Sequence, residues 1–215
     1  MAITINGTAN TIAGLAVGGL PDNTIDNGCM ADDAIGVAEL SATGTASSST
    51  FLRGDNTWAA AGGGKILQVV QTVKTDTTSL SSTTTYTDIS GMTVDITPSA
   101  SSSKVLVIFN ANLSNLSNGH VDIRLVRDST AIAIGDSSSN RAQVTVSKEA
   151  AGHGNGLEER SMTYLDSPST TSATTYKLQW KTGLVDAVLN RSKDDTDNIH
   201  SPRGVSTITV MEVGA

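Results

Sequence analysis

Side chains that could carry chemistry are few in this sequence and lie far apart. The histidines are His120, His153 and His200, and the single cysteine is Cys29. Zinc sites are built from thiolate and imidazole ligands at short, regular spacings. The sequence has no such pattern and no His-x-His pair. We therefore expect no metal site and no cofactor.

An acidic run from Asp194 to Asn198 could offer several oxygens to a calcium ion. It lacks the glycine and the distal glutamate of an EF-type loop, so the interpretation that we favour is a solvated loop. A second run, Gly152–Gly156, is rich in glycine, but no strand-to-helix pattern surrounds it. Phosphate binding is therefore not indicated there, and we expect another loop.

Catalysis needs an acid, a base, a nucleophile or a metal held in position, and the sequence supplies no recognisable set. Glycan cleavage would require two carboxylates that flank the scissile bond in a cleft. The C-terminal part of the chain is small for a domain that carries such a cleft. We expect a protein that is not an enzyme, and a glycan-degrading activity is the alternative.

The stretch FLRGDNTW, residues 51 to 58, contains the Arg-Gly-Asp tripeptide that animal cell-adhesion receptors recognise. Its other residues favour a structural role. Phe51, Leu52 and Trp58 flank a Gly-Asp-Asn turn signal, which predicts a small hairpin. Around a three-fold axis such hairpins would form an apolar plug, with Arg53 and Asp55 paired at its rim. Receptor recognition by the tripeptide is the other interpretation.

The overall composition restricts the partners. The net charge is −7, the pI is about 4.8, and lysines and arginines do not cluster, so a nucleic-acid surface is not expected. No apolar run is long enough to cross a membrane, and the N-terminus does not have the pattern of a secretory signal. One cysteine cannot form a disulfide within the chain, which favours synthesis in a reducing cytoplasm.

Residues 1–62 are small, polar and rich in glycine, with single Ile, Leu or Val residues every few positions. One such chain cannot bury enough apolar area to offset its ordering entropy. Three chains that share an axis could, and the pattern therefore predicts an N-terminal anchor over 1–20 and a thin trimeric shaft over 21–62. A flexible linker is the alternative.

Residues 63–215 have a different pattern. Ser and Thr make up about a quarter of the whole chain, and Thr favours strands. Apolar and polar residues alternate over 120–127 and 174–181, and turn clusters such as 99–103 and 114–119 separate the strand-like segments. Further strands are predicted over 84–89, 92–97 and 142–147. The segment predicts an all-β head, a jelly-roll-like antiparallel β-sandwich. In its last strand, 205–213, both faces carry apolar residues, so the strand is central or one face meets another subunit.

The stretch GTASSSTFLRGDNTW, from Gly44 to Trp58, resembles the junction between shaft and head in bacteriophage tail-fibre and related virion-fibre proteins. The preceding IDNGCMADDAIGVAELSATGT resembles their shaft elements more loosely. ISGMTVDITPSASSSKVLV, YLDSPSTTSATTYKLQW and TITVMEV resemble heads of such fibres. These segments cover about two thirds of the chain. The resemblance departs in length, because only about 20 residues precede the first shaft-like element.

The resemblance implies a homotrimeric virion fibre or spike that attaches to a host-surface glycan through its head and to other virion proteins through residues 1–20. The alternatives are a capsid-decorating or head-fibre protein and, less compatible with the N-terminus, a bacterial adhesin. Loops carried by a rigid scaffold are the expected binding elements. The candidate receptor-binding residues are Asn118, His120, Asn140, Arg141, His153, Asn155, Asp194, Asp195, Asn198 and His200. The candidate trimer junction consists of Phe51, Leu52, Arg53, Asp55 and Trp58.

Overall fold

A computed structural model describes residues 4–6, 11–13, 40–60, 65–115, 119–149, 156–183 and 185–215. The chain divides into two compact units, Met1–Gly62 and Gly63–Ala215. In the described residues every regular element is a β-strand, which confirms the all-β prediction. Most of the predicted anchor and shaft, including Cys29, lies outside the described residues. The trimeric shaft stays a prediction.

The first unit contains two small antiparallel hairpins. Strands β1 (Thr4–Asn6) and β2 (Thr11–Ala13) form one of them. Strands β3 (Thr50–Leu52) and β4 (Trp58–Ala60) form the other, with Leu52 opposite Trp58. The hairpin predicted within FLRGDNTW is therefore confirmed.

The turn of this second hairpin is closed by hydrogen bonds of its own backbone. The Arg53 amide donates to the Thr57 carbonyl at 2.9 Å, and the Asn56 amide donates to the Arg53 carbonyl at 3.0 Å. Asn56 has a positive φ of 61°, which asparagine tolerates better than most residues. The Arg53 and Asp55 side chains are 3.5 Å apart and both exposed, so their ion pair contributes little.

Gly44 explains why the junction needs a glycine before the hairpin. Its φ is +86°, and a Cβ at this position would stand 2.5 Å from the carbonyl oxygen of Trp58. The close approach lets Thr43 pair with Thr57, and the Trp58 amide donates to the Thr43 carbonyl at 2.7 Å. Any side chain at position 44 would push this incoming segment away from the hairpin.

The second unit contains eleven strands among its described residues. They are β5 (Ile66–Lys74), β6 (Thr78–Leu80), β7 (Thr83–Ile96), β8 (Lys104–Asn115), β9 (His120–Arg127), β10 (Thr130–Ile132), β11 (Val146–Glu149), β12 (Glu158–Asp166), β13 (Thr174–Thr182), β14 (Ala187–Leu189) and β15 (Ser206–Val213).

These strands form two antiparallel sheets. In the first sheet β5 pairs with β15, β15 with β8, and β8 with β12; β6 and β14 continue the rows of β5 and β15. In the second sheet β10 and β11 pair with one edge of β9, whose other edge pairs with β13, and β13 pairs with β7. When collinear pieces are joined, eight strands remain, in the spatial orders 1-8-3-6 and 2-7-4-5. That arrangement is a jelly roll.

The core lies between the two sheets and follows from the alternation of the sequence. Val121, Ile123 and Leu125 of β9 are buried, as are Tyr176 and Leu178 of β13. They pack against inward residues of the first sheet in one continuous cluster. Burying side chains of this size contributes about 1.5–3 kcal/mol each. The inward set that the alternation predicts is confirmed in both strands.

Three predicted strands differ from the structure. The segments 84–89 and 92–97 are one strand, β7, which bulges around Gly91, where φ is +80°. The strand predicted over 142–147 begins only at Val146, because Thr145 forms a different set of hydrogen bonds with β9. The Thr145 amide donates to the Ile123 carbonyl, and the Thr145 hydroxyl accepts from the Leu125 amide. β11 therefore starts at the residue after this anchor.

Candidate binding surface

The chain enters the sandwich at one end, which we call the entry end. The Gly214 amide donates to the Lys65 carbonyl at 2.7 Å, and the Lys65 ammonium donates to the Ala215 carbonyl at 2.7 Å. The first and last described residues of the second unit therefore lie together, beside the start of β8, where Lys104 pairs with Val213. At the opposite end, the far end, β8 and β13 finish and β9 and β12 begin.

A long loop, 190–205, separates β14 from β15 near the far end, and Asn190 fixes its neck. Asn190 is fully buried with a φ of 62°. Its side-chain amide donates to the Lys74 carbonyl at 2.8 Å, and its side-chain oxygen accepts from the Ser206 hydroxyl at 2.6 Å. Its amide donates to the Asn112 carbonyl, and its carbonyl accepts from the Gly204 amide. A buried, saturated asparagine holds both ends of the loop on the sheet.

The tip of this loop forms a polar hollow of about 300 Å³ that is open to solvent, lined by Asp195, Thr196, Asp197, Asn198, Ser201 and Arg203. The Asp195 carboxylate forms ion pairs with the guanidinium groups of Arg203 at 2.5 Å and Arg191 at 3.8 Å. The Asn198 amide group donates to the Thr196 hydroxyl at 2.6 Å. The loop therefore brings the predicted Asp195 and Asn198 together in one lining.

The other two predicted residues of this loop have different surroundings. The Asp194 carbonyl accepts from the Ser201 hydroxyl at 2.8 Å, so its backbone braces the loop. His200 is exposed, and its amide donates to the Asn198 side-chain oxygen at 2.8 Å. All four predicted residues of 194–200 thus belong to one hydrogen-bonded loop, of which Asp195 and Asn198 line the hollow.

His120 opens β9 at the far end and lies beside a buried carboxylate. Its Nε2 is 3.7 Å from Asp122 Oδ2, and Lys181 Nζ is 3.8 Å from the same oxygen. The Ser147 hydroxyl donates to Asp122 Oδ1 at 2.7 Å. Within the described residues, Asp122 Oδ2 accepts no hydrogen bond. His120 is predicted from the sequence, whereas Asp122 and Lys181 are not, because their proximity depends on the pairing of β9 with β13.

Asn140 and Arg141 lie elsewhere. Their loop leaves β10 where Ile132 pairs with Leu125 and returns where Val146 pairs with Ile123, halfway along β9. The Arg141 amide and guanidinium both donate to Ser138. The remaining predicted residues, Asn118, His153 and Asn155, lie outside the described residues.

No group of three or more His, Cys, Asp or Glu residues in the described part of the chain is arranged to hold a metal ion. Over the same residues, no helix is long and apolar enough to cross a membrane. The described loops offer hydroxyl, amide, carboxylate and guanidinium groups, which form hydrogen bonds with polar ligands such as sugars.

The outer face of the second sheet is charged, and we call it the charged face. Lys177 donates to one oxygen of Asp88 at 2.8 Å, and Gln179 donates to the other at 2.6 Å. Arg124 donates to the Gln179 side chain and stacks 4.0 Å from the Tyr86 ring centre. The hydrogen bond from Lys177 lowers the pKa of Asp88. These charged groups therefore find partners within the chain.

Tyr86 is the centre of this arrangement. Its ring lies under Arg124 and 4.8 Å from the Lys181 ammonium, and its hydroxyl donates to the Gln143 carbonyl at 3.1 Å. Burial raises the pKa of Tyr86 to about 12. The aromatic ring and the two cations form cation–π contacts that are satisfied without a second molecule.

The outer face of the first sheet is different, and we call it the apolar face. It consists of the outward residues of β5, β15, β8 and β12. One row crosses all four strands in register: Val69 pairs with Met211, Met211 with Leu106, and Leu106 with Leu165. Leu67, Val73 and Ile108 extend the apolar area, and Gln71, Thr209 and Thr163 lie between them.

Several of these side chains are exposed to an extent unusual for their type. The exposed fractions are 49% for Leu67, 56% for Val69, 52% for Val73 and 46% for Leu165. Single exposed apolar residues are normal, but a contiguous patch marks an interaction surface. The pattern of the last strand predicts that β15 is central or that one of its faces meets another subunit. The structure shows β15 between β5 and β8, so it is central.

Known proteins offer few points of comparison. No family model matches the chain, and no curated protein matches it. Among solved structures, the infectious bursal disease virus VP2 subviral particle matches with a TM-score of 0.32 and 10% identity, over 68% of this chain and 41% of that chain. The Gx strain of the same virus matches with a TM-score of 0.34 and 13% identity, over 73% and 44% of the two chains.

This chain thus spans less than half the length of those viral chains. At such TM-scores the likeness carries no argument about function.

Proposed function

We propose that the chain is a virion structural protein, a homotrimeric bacteriophage fibre or spike whose head attaches to a glycan on the host surface. Residues 1–20 would join it to other virion proteins, and 21–62 would form the shaft. The role requires binding and no chemical step. Two independent features support it: the Gly44–Trp58 junction, which resembles that of virion fibres, and the geometry of the head.

The observation that carries the proposal is the separation of the two ends of the sandwich. Lys65 and Ala215 are bonded to each other at the entry end. His120 begins β9 at the far end, and the neck of the 190–205 loop is bonded to Asn112 near that end. A head mounted by its entry end presents this loop and His120 away from its attachment. That is the arrangement that a receptor-binding tip requires.

The ligand class follows from the chemistry of the loop. The hollow offers carboxylate and amide oxygens, hydroxyls and one guanidinium, all suited to sugar hydroxyls. Aromatic residues, which would stack on sugar rings, are absent from this lining. We therefore expect weak binding per site, which three copies strengthen through avidity, by a factor of about 10²–10⁴ where the sites act together.

The test is competition for adsorption. Purified full-length protein is added to host cells before the phage, and the fraction of unadsorbed particles is counted. The proposal expects the wild-type protein to block adsorption. Asn198→Ala combined with Thr196→Ala should weaken the block at least tenfold. Ser101→Ala, an exposed serine in the turn between β7 and β8 at the entry end, should leave it unchanged.

No competition at saturating protein would overturn receptor attachment. Gold labelling of intact virions distinguishes the position of the protein: label on the tail supports a tail fibre, whereas label spread over the capsid supports the capsid-decorating alternative.

A further inference from the structure

We propose that the apolar face is the surface through which three copies of the head pack around a common axis parallel to their strands. The inference rests on the homotrimer of the proposed function and adds to it the face, the symmetry and the residues that meet. Its occupant is two further copies of this chain.

The face has the composition of a buried protein–protein interface. Its central row, Val69, Met211, Leu106 and Leu165, presents only aliphatic and thioether groups, and the rows beside it add Thr, Gln and Asn. Exposing such a row to water is unfavourable, whereas burying it against a second apolar surface is favourable in proportion to the apolar area that is buried. The uncharged polar neighbours can form hydrogen bonds across the contact without the cost of burying a charge.

The charge distribution permits copies of the same chain as the occupant. The molecule carries a net charge of −7, so two copies repel wherever acidic surfaces approach. On the outward positions of β5, β8, β12 and β15, charged side chains occur only near the two ends of the face: Lys104 begins β8, and Glu159 lies one residue after the start of β12. Between them identical copies can meet without like charges in contact.

The width of the sheet fits three copies. Four strands spaced about 4.8 Å apart make a face about 19 Å wide. With neighbouring edge strands about 4.8 Å apart at each corner, three such faces form a triangular prism about 24 Å on a side, whose sides lie about 7 Å from its centre. Packed sheets stand about 10 Å apart, or about 5 Å from the plane midway between them, so the side chains of the three apolar faces fill most of the prism.

The area of the face sets the scale of the contact. The outward positions of β8 from Lys104 to Asn112 span about 27 Å, so each face covers a plane of about 500 Å². Three faces together bury at least about 1,500 Å², close to the area of one standard two-partner interface, and the trimer divides this area among three contacts.

Three-fold packing makes a specific prediction at the corners of the prism. There the β5 edge of one copy meets the β12 edge of the next. Val69 of β5 and Leu165 of β12 lie on the same row, and in one chain they are separated by three strand spacings, about 14 Å. A disulfide needs Cα atoms within about 7 Å, so this pair can be linked only between copies.

The experiment uses the full-length chain with Cys29→Ser, so that the introduced cysteines are the only ones. Val69→Cys and Leu165→Cys are combined, oxidised with diamide and run on a denaturing gel without reductant. We expect covalent dimers and trimers. Each single variant should give no covalent trimer, and Val73→Cys with Leu165→Cys, shifted by about 13 Å along the strands, should link at least tenfold less.

Light scattering on the same samples separates the two proposals. A trimeric protein that forms no Val69–Leu165 link overturns this assignment of the face and leaves the fibre trimer intact. A monomeric protein overturns both. Covalent dimers without trimers, in a protein of dimeric mass, overturn the three-fold packing.

Discussion

The two outer faces of the sandwich differ although the same strand alternation produces both. On the charged face, Asp88, Lys177, Gln179 and Arg124 bind one another around Tyr86. On the apolar face, the corresponding positions include aliphatic residues with about half of their surface exposed to solvent. The inward residues determine the jelly roll in both sheets. The outward residues differ: those of the charged face are bonded within the chain, whereas those of the apolar face stay exposed, and we propose that other copies cover them.

The largest effect should come from a charge at the centre of the apolar face. In a single chain Met211→Lys is tolerated, because the side chain is only half-buried. In the trimer it would bury an unpaired ammonium, at a cost of about 3–5 kcal/mol per copy. We expect sedimentation equilibrium to show weaker association of the heads. Thr87→Lys, on the second sheet, is the matched control and should associate like the wild type.

The inner side of the same strand provides a test of stability that leaves the apolar face unchanged. Glu212 is buried, and its carboxylate accepts from the Ser99 amide and hydroxyl and from Gln68 at 2.6–2.7 Å. Glu212→Gln puts an amide group against these donors. We expect the free energy of unfolding to fall by about 2–3 kcal/mol at neutral pH, measured by urea denaturation, with an unchanged mass by light scattering.

The pH dependence of this site has a definite sign. Burial raises the pKa of Glu212, but the hydrogen bonds from Ser99 and Gln68 outweigh it and lower the pKa to about 2. An unfolded glutamate has a pKa of about 4.3. The stabilisation is therefore fully present well above about pH 4.3 and is lost as the pH falls towards 2. The wild type should lose stability over this range, and the Glu212→Gln variant should lose less of it; equal losses would contradict the assignment.

A smaller effect is expected on the charged face. Asp88→Asn removes the ion pair with Lys177, but the new side chain keeps an oxygen that can accept from Gln179. Because this surface is solvated, the free energy of unfolding should fall by only about 0.5–1 kcal/mol, measured by urea denaturation. Association should be unaffected. A change in the mass of the assembly would show that this face is also part of an interface.

The smallest expected effect is the dependence on salt concentration, which should differ between the charged face and the apolar face. Raising the ionic strength from about 0.1 M to 1 M shortens the screening length from about 10 Å to 3 Å. The Asp88–Lys177 contribution should fall by a few tenths of a kcal/mol, whereas association through an uncharged face should not weaken. The comparison of wild type with Asp88→Asn at both salt concentrations measures the first, and sedimentation measures the second.

The sequence predicts the parts of the fold that depend on local alternation. The bounds of β9 and the pattern of β13 follow from residues that alternate over 120–127 and 174–181. The bulge at Gly91 could not be predicted in the same way, because it arises where β7 is longer than the β13 segment that it pairs with.

In the candidate site, too, the features that are local in sequence could be predicted, and those that depend on distant strands could not. Asp194 to His200 are close in sequence, so their common loop could be predicted. The neck at Asn190 could not, because its partners Lys74, Asn112 and Ser206 come from three other strands. The apolar row could not be predicted either, because each of its strands shows ordinary alternation. Only the register of the four strands places Val69, Met211, Leu106 and Leu165 side by side.

The mass of the full-length protein in solution tests the central claim most directly. Each chain has a mass of 22.1 kDa, so three copies give about 66 kDa. Light scattering coupled to size exclusion should give the larger value, independent of concentration over the accessible range. A folded protein of 22.1 kDa would contradict the claim that copies of this chain complete the apolar face.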